Sequence, residues 1–162
     1  MNLSLVRVDD RFIHGQILEA WIPYLNAQGV IVANDYLASN DFQRAIISMA
    51  IPDRITFKII SIEKTPTLAD DPLFKGKKTL LIVSSIKDAY KIYQKGATFK
   101  KLNIGNLKMK DECKQLSFSV WVDHEDVNIL KTFIEDGVSI SLQSVPRERD
   151  IDLGTIIEMI DI

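Results

Sequence analysis

The segment RVDDRFIHGQ, Arg7 to Gln16, groups side chains that could carry out phosphate chemistry. A neutral imidazole such as that of His14 is a nucleophile, and the guanidinium of Arg11 offers a planar fork that suits phosphate oxygens. Gly15 and Gln16 follow where a helix should begin, and the unpaired N–H groups of a first helical turn favour an anion. The segment therefore predicts a site at which a histidine accepts and passes on a phosphoryl group.

Short apolar runs alternate along the chain with stretches of helical period, and this alternation predicts the elements that position the segment. The predicted strands are LSLVRV, GVIVAN, ITFKIISI, KTLLIVS, KKLNIGN, QLSFSVWV and VSISLQSV, and a last helix is predicted from Leu153 to Ile160. Strands separated by helices cannot pair as hairpins, so most must run parallel through right-handed crossovers. The predicted fold class is α/β, with an open, mostly parallel sheet of about seven strands, helices on both faces and a single domain over residues 1–162.

Polar residues are predicted to gather at one edge of this sheet. Ligands of such folds bind outside the carboxyl ends of the strands, and the His14 loop directly follows the first strand. Ser84 and Ser85 end the fourth predicted strand, so they are candidates for contact with a phosphate or a partner at the same edge. Asn106 ends the fifth.

Composition excludes several classes of function. The chain has 162 residues and a formal net charge of -2 with both signs mixed, so it offers no basic surface for nucleic acid. No apolar stretch is long enough for a membrane-embedded protein, and a single cysteine, Cys113, fits a cytoplasmic location. No metal site is predicted, because the acids beside His124 are more typical of a helix cap. No glycine-rich nucleotide-binding motif occurs.

The histidine loop also has a reading without phosphate chemistry. Asp10 and Arg11 could form a surface ion pair, and His14 could be a helix-start residue bonded to a neighbour. The spacing of these residues does not separate the two interpretations.

The wider sequence favours the phosphate interpretation through a resemblance. RVDDRFIHGQ resembles the active loop of IIB components of the mannose/fructose/sorbose family of the bacterial phosphoenolpyruvate-dependent sugar phosphotransferase system. VIVAND, LNIGN, SVWVDHEDV and GVSISLQSVPRERDIDL match the family's features in order and spacing, so the resemblance covers nearly the whole chain. The chain departs at Asn106, where relatives commonly carry glycine. Asparagine tolerates left-handed backbone, so we expect the turn there to persist.

The resemblance implies a phosphocarrier enzyme, a protein-N(pi)-phosphohistidine-sugar phosphotransferase. His14 would accept a phosphoryl group from a phosphohistidine IIA partner and pass it to a sugar imported by the membrane IIC and IID components. Arg11 would bind the phosphate, Asp10 would orient or electrostatically tune the loop, and Gly15 and Gln16 would present backbone N–H groups. The protein would be cytoplasmic and peripheral to the membrane transporter during transfer. No cofactor is expected.

A second functional hypothesis belongs to a different class. The same fold and loop could serve a regulatory or binding module that responds to phosphorylation outside sugar transport. Neighbouring genes for IIC and IID components would favour transport.

Overall fold

Parallel pairing builds the main sheet around the N-terminal strand. The computed structural model describes residues 2–160. Its strands are β1 Asn2–Asp9, β2 Gly29–Ala33, β3 Thr56–Ile60, β4 Lys78–Val83, β5 Lys101–Asn106, β6 Lys114–Ser117, β7 Val120–Val122, β8 Ser139–Leu142 and β9 Ile151–Asp152. The main sheet has seven strands in the order β3-β2-β4-β1-β5-β8-β9, and only β9 is antiparallel to its neighbour. This confirms the α/β fold class.

Helices form much of the connections between the strands. The α-helices are α1 Ile22–Leu25, α2 Asp35–Ser39, α3 Asp41–Met49, α4 Ile86–Gln94 and α5 His124–Glu135. A π-helical turn, Ile17–Trp21, leads directly into α1, and 3-10 turns occupy Thr65–Asp70, Pro72–Phe74, Leu153–Thr155 and Ile157–Met159. Asn40 caps α3, because its side chain accepts a hydrogen bond from the backbone N–H of Gln43 at 3.0 Å.

The sheet separates two hydrophobic clusters. Successive side chains of a strand point to opposite faces, so Val6 and Val8 join the cluster packed beneath α4 and α5, whereas Leu5 joins the cluster under the π-helical turn. This arrangement confirms that helices cover both faces. It also places Arg7 on the same buried face as Leu5, where a charged side chain needs polar partners.

Two predicted elements are wrong. QLSFSVWV is not a strand of the main sheet but an antiparallel hairpin, β6 and β7, that turns at the exposed Phe118. The hairpin is attached to the end of β5 because Leu107 exchanges backbone hydrogen bonds with Ser119 and Trp121 at 2.9 and 3.0 Å. The seventh strand of the main sheet is β9 instead.

The predicted helix from Leu153 to Ile160 forms only two 3-10 turns. Gly154 and the β-branched residues Thr155 and Ile156 are weak helix formers. Asp152 accepts a hydrogen bond from the backbone N–H of Gly154 at 3.0 Å, which stabilises a tight turn there.

The strand order opens a crevice beside β1. The chain leaves β1 towards β2 on one side, and it leaves β5 towards β8 on the other. Adjacent connections that diverge in this way mark the binding crevice of open α/β sheets. The two strand ends remain joined at this point, because the backbone N–H of Asp10 donates to the carbonyl of Asn106 at 3.2 Å.

The N-terminal cap of α5 can be tested by substitution. Asp123 caps it through a capping box with Asp126 and also contacts Lys87 at 3.0 Å. Asp123→Ala should lower the free energy of unfolding by about 1 kcal/mol, because the first helical turn loses its acceptor. Urea unfolding measures this loss. Glu135→Ala, at the exposed far end of α5, is the matched control and should change stability little.

Candidate phosphoryl-transfer site

A tight turn carries the chain from β1 to His14. The backbone N–H of Phe12 donates to the carbonyl of Asp9 at 3.1 Å, and Phe12 has a left-handed φ of 57°. This conformation is uncommon for an aromatic residue, and contact between Phe12 and the apolar cluster beneath the loop holds it in place. The backbone N–H groups of Ile17 and Leu18 then donate to the carbonyl of His14, so His14 stands at the entry to the helical segment.

The carboxylate of Asp9 is the centre of the site. Its side chain is fully buried. One oxygen, Oδ2, accepts from Arg7 Nη2 at 2.8 Å and lies 2.9 Å from His14 Nε2. The other oxygen, Oδ1, accepts from the backbone N–H and Nε of Arg11 at 3.1 and 3.2 Å. One carboxylate therefore joins a buried strand, the loop and the histidine.

These partners keep Asp9 ionised. Burial by itself would raise the pKa of Asp9, but hydrogen bonds with His14 and Arg11 and the charge of Arg7 outweigh it and lower the pKa to about 2. An ionised carboxylate can only accept hydrogen bonds. It follows that His14 Nε2 must carry the proton in this contact.

The other nitrogen of His14 remains available for chemistry. Within residues 2–160, Nδ1 of His14 has no hydrogen-bond partner. The side chain is partly exposed, at 19%. With the proton fixed on Nε2, Nδ1 presents its lone pair as a nucleophile.

Arg11 lies beside His14 through their common contact with Asp9. Its Nη2 also donates to Gln16 Oε1 at 3.0 Å. Over the described part of the chain, Nη1 of Arg11 makes no hydrogen bond, and 41% of the side chain is exposed. A guanidinium held on one edge and free on the other can receive an anion.

Comparison with known proteins identifies the family. Residues 3–161 match the family described as PTS system sorbose subfamily IIB component. The chain belongs to this family. Its sequence is 29% identical over 157 residues to the PTS system fructose-specific EIIB component of Bacillus subtilis, a match that covers 97% of this chain and 96% of that protein. The resemblance read from the sequence is thereby confirmed.

Structural similarity agrees with the sequence match. The crystal structure of the IIBSor domain of the Klebsiella pneumoniae sorbose permease aligns with a TM-score of 0.90 at 25% identity, covering 99% of both chains. The chain is also 23% identical over 161 residues to the PTS system mannose-specific EIIAB component of Escherichia coli. This match covers 99% of this chain but 50% of that protein. The IIB chain is thus a phosphocarrier and sugar phosphotransferase of this system, whose permeases also comprise IIA and IIC/IID partners.

Sequence reasoning emphasised Asp10, but the carboxylate that contacts His14 belongs to Asp9. Asp10 accepts instead from Asn106 Nδ2 at 2.6 Å and from the backbone N–H of Lys108 at 3.0 Å. Strand alternation held a signal for Asp9, because Asp9 and Arg7 are two residues apart and point to one face. The chain at Asn106 does not need the left-handed backbone that asparagine tolerates: Asn106 ends β5 and donates to Asp10.

Within residues 2–160, Ser84 and Ser85 form no hydrogen bond with His14 or Arg11. Ser84 donates to Asp88 Oδ2 at 2.9 Å, and Ser85 caps α4 by accepting from the backbone N–H of Asp88 at 3.1 Å. Both serines line a groove of about 420 Å³ that also borders Asp10 and Phe12. The two serines therefore border the loop at Asp10 and Phe12, but their hydrogen bonds to Asp88 lie within the connection from β4 to α4.

Gly15 and Gln16 lie at the entry of the helical segment and line a different groove of about 560 Å³, together with Pro146 and Arg147.

Residues 2–160 contain no group of three or more histidine, cysteine or acidic side chains that could hold a metal ion. Across the same range, no helix is both long and apolar enough to cross a membrane.

The low pKa of Asp9 predicts how acid affects stability. Because the folded pKa of about 2 lies below the ordinary value of 3.8, Asp9 stabilises the fold fully above about pH 4. As pH falls to about 2 the carboxylate protonates, and about 2 kcal/mol should be lost. Urea unfolding at a series of pH values should show this loss in the wild type and not in Asp9→Asn. Asp10→Asn retains Asp9 and should keep the loss; equal pH profiles for all three proteins would contradict the prediction.

Proposed function

We propose that His14 carries the phosphoryl group and that Nδ1 is the nitrogen that accepts it. The contact of 2.9 Å between His14 Nε2 and Asp9 Oδ2 is the observation that supports this assignment, because it occupies one nitrogen and leaves the other for attack. The donor is a phosphohistidine of the IIA partner, and the final acceptor is a sugar hydroxyl at the IIC and IID components.

In the first step, the lone pair of His14 Nδ1 forms a bond to phosphorus as the donor's N–P bond breaks. The product ring bears PO₃ on Nδ1 and a proton on Nε2, so it is positively charged. The ionised carboxylate of Asp9 lies against that proton and balances the charge. In the second step, the sugar oxygen bonds to phosphorus as the N–P bond breaks. The electron pair of that bond returns to Nδ1 and regenerates neutral His14, and the hydroxyl proton of the sugar leaves to water.

Positive groups around His14 stabilise the transferred group. The loose transition state spreads negative charge over three oxygens. Arg11 Nη1 and the backbone N–H groups of Gly15 and Gln16 are our candidates for phosphate binding. Asp10 contributes indirectly, by holding the loop against β5 through Asn106.

The surfaces beside the loop serve partner binding in this proposal. Ser84 and Ser85 line the groove next to Phe12, so we assign them to contact with a partner rather than with phosphate. The chain works in the cytoplasm and meets the membrane components only during transfer, because donor and acceptor must each reach the same imidazole.

Phosphate mapping tests the assignment. Protein incubated with phosphoenolpyruvate, the general phosphotransfer proteins and a matching IIA should gain one acid-labile, alkali-stable phosphate, which ¹⁵N and ³¹P spectra place on Nδ1. His14→Ala should take up none. His124→Ala removes the only other histidine and should be labelled as the wild type is. Full labelling of His14→Ala would refute the proposal, as would phosphate on Nε2.

Arg11→Lys tests the phosphate-binding role. Lysine keeps the charge but loses the fork, so the rate of phosphoryl uptake should fall about 10- to 100-fold, the equivalent of one charge-assisted hydrogen bond. Rapid-quench measurements give the rate, and circular dichroism checks the fold. Arg44→Lys, on α3 and paired with Asp41, is the matched control and should react at the wild-type rate. An unchanged rate in Arg11→Lys would remove Arg11 from the site.

A further inference from the structure

Arg7 is a charged residue within a buried strand, and polar partners from distant segments surround its guanidinium. Its guanidinium is fully buried. Nη1 donates to the side chain of Asn103 and to the carbonyl of Gln143 at 3.0 Å. Nη2 donates to Asp9 Oδ2 at 2.8 Å and to the carbonyl of Ser144 at 3.0 Å. Three separate segments, β1, β5 and the loop after β8, therefore converge on one side chain.

Gly105 and Trp21 also lie against the Arg7 guanidinium. A Cβ atom on Gly105 would lie 2.0 to 2.2 Å from three guanidinium atoms, so the backbone of Gly105 rests directly against one face. Arg7 Cζ lies over the ring of Trp21, 4.8 Å from the ring centroid. Trp21 is itself fixed, because its Nε1 donates to the carbonyl of Ser144 at 2.9 Å. These contacts and its four hydrogen bonds hold the guanidinium in one orientation.

One oxygen atom, Asp9 Oδ2, connects the fixed guanidinium of Arg7 to the reacting histidine. Asp9 Oδ2 accepts from Arg7 and is also the oxygen that lies against Nε2 of His14. Arg11 contacts the same carboxylate, but its side chain is 41% exposed and belongs to the loop. Of these two arginines, only Arg7 ties the carboxylate to the rigid centre of the sheet.

We propose that Arg7 is a positioning residue for phosphoryl transfer, which holds the Asp9 carboxylate against Nε2 of His14 and so leaves Nδ1 for the phosphoryl group. Gly105 and Trp21 serve the same task by confining Arg7. This inference rests on the proposed function for its consequence, but not for its geometry.

A purely stabilising role explains the arrangement less well. Burying an ion pair costs solvation, and well-packed apolar residues often stabilise a core as well or better. Here Nε of Arg7 is buried and has no hydrogen-bond partner among residues 2–160, which adds to that cost. Burial lowers the pKa of Arg7, although the neighbouring Asp9 charge opposes the shift. Precise orientation of Asp9 is a benefit that an apolar pair could not supply.

Gly105→Ala tests the inference without altering any reacting group. The added methyl must displace the guanidinium, so Asp9 should lose its fixed orientation. The first readout is the downfield Nε2–H proton of His14 in ¹⁵N-labelled, unphosphorylated protein, which should be present in the wild type and weakened or absent in the variant. The second is the rate of phosphoryl uptake, which should fall about 10- to 100-fold, as misplacement by about 1 Å can cost. Some phosphate should appear on Nε2.

Gly29→Ala is the matched control. Its Cβ would lie 2.9 Å from the side chains of Phe74 and Thr79, so it also crowds a buried strand, but at the opposite end of the sheet from the loop. It should lose stability while keeping the Nε2–H signal and the wild-type rate. Loss of the signal in this control would mean that general destabilisation moves it, and would overturn the inference.

Asn103→Ala is a second variant that adds no atoms and removes one acceptor of Arg7. It decides the question with the same two readouts if Gly105→Ala does not fold. A folded variant of either kind with the wild-type signal and rate would refute the role of Arg7. Because the Nε2–H signal is read before phosphorylation, it separates the two proposals: a wild type that takes no phosphate on His14 refutes the proposed function alone.

Discussion

A buried, ionised carboxylate connects the fold of this IIB component with its chemistry. Asp9 is the last residue of the central strand, and it binds an arginine from that strand, an arginine from the loop and the histidine. Removing a carboxylate from water is costly, and these donors make the burial possible. The same donors give the site its geometry, because an acceptor with fixed partners fixes the groups that donate to it.

The strand order determines where such a carboxylate can act. Beside the end of β1, the connection from β1 to β2 and the connection from β5 to β8 diverge, so the loop lies at the opening of the crevice with the sheet beneath it. Asn106 illustrates how β5 takes part. Its amide holds Asp10, and the preceding Gly105 leaves room for Arg7. The close approach that glycine allows at this strand end is therefore to a buried guanidinium.

Phosphoryl transfer asks a protein mainly for position and charge. The described site meets both demands with few groups. In the proposed function, Asp9 fixes the imidazole and compensates the charge of the phosphorylated ring, and Arg11 lies on the exposed side. The contacts of Arg7 with Trp21 and Gly105 are buried beneath the loop. In the proposed function, donor and acceptor bind in turn at the exposed loop, and the buried contacts beneath it need not rearrange.

The sequence by itself determined the α/β class, six parallel strands of the main sheet, the family and the loop that carries His14 and Arg11. These follow from period, turn residues and a short motif, which are local properties. The tertiary structure alone decided that Asp9 rather than Asp10 contacts the imidazole and that β9 completes the sheet. It also decided that Ser84 and Ser85 bond to Asp88 rather than to the imidazole. The physical reason is that a hydrogen bond depends on the direction of a side chain and on segments distant in sequence: Arg7 meets Asn103, Gln143 and Ser144 only after the sheet has assembled.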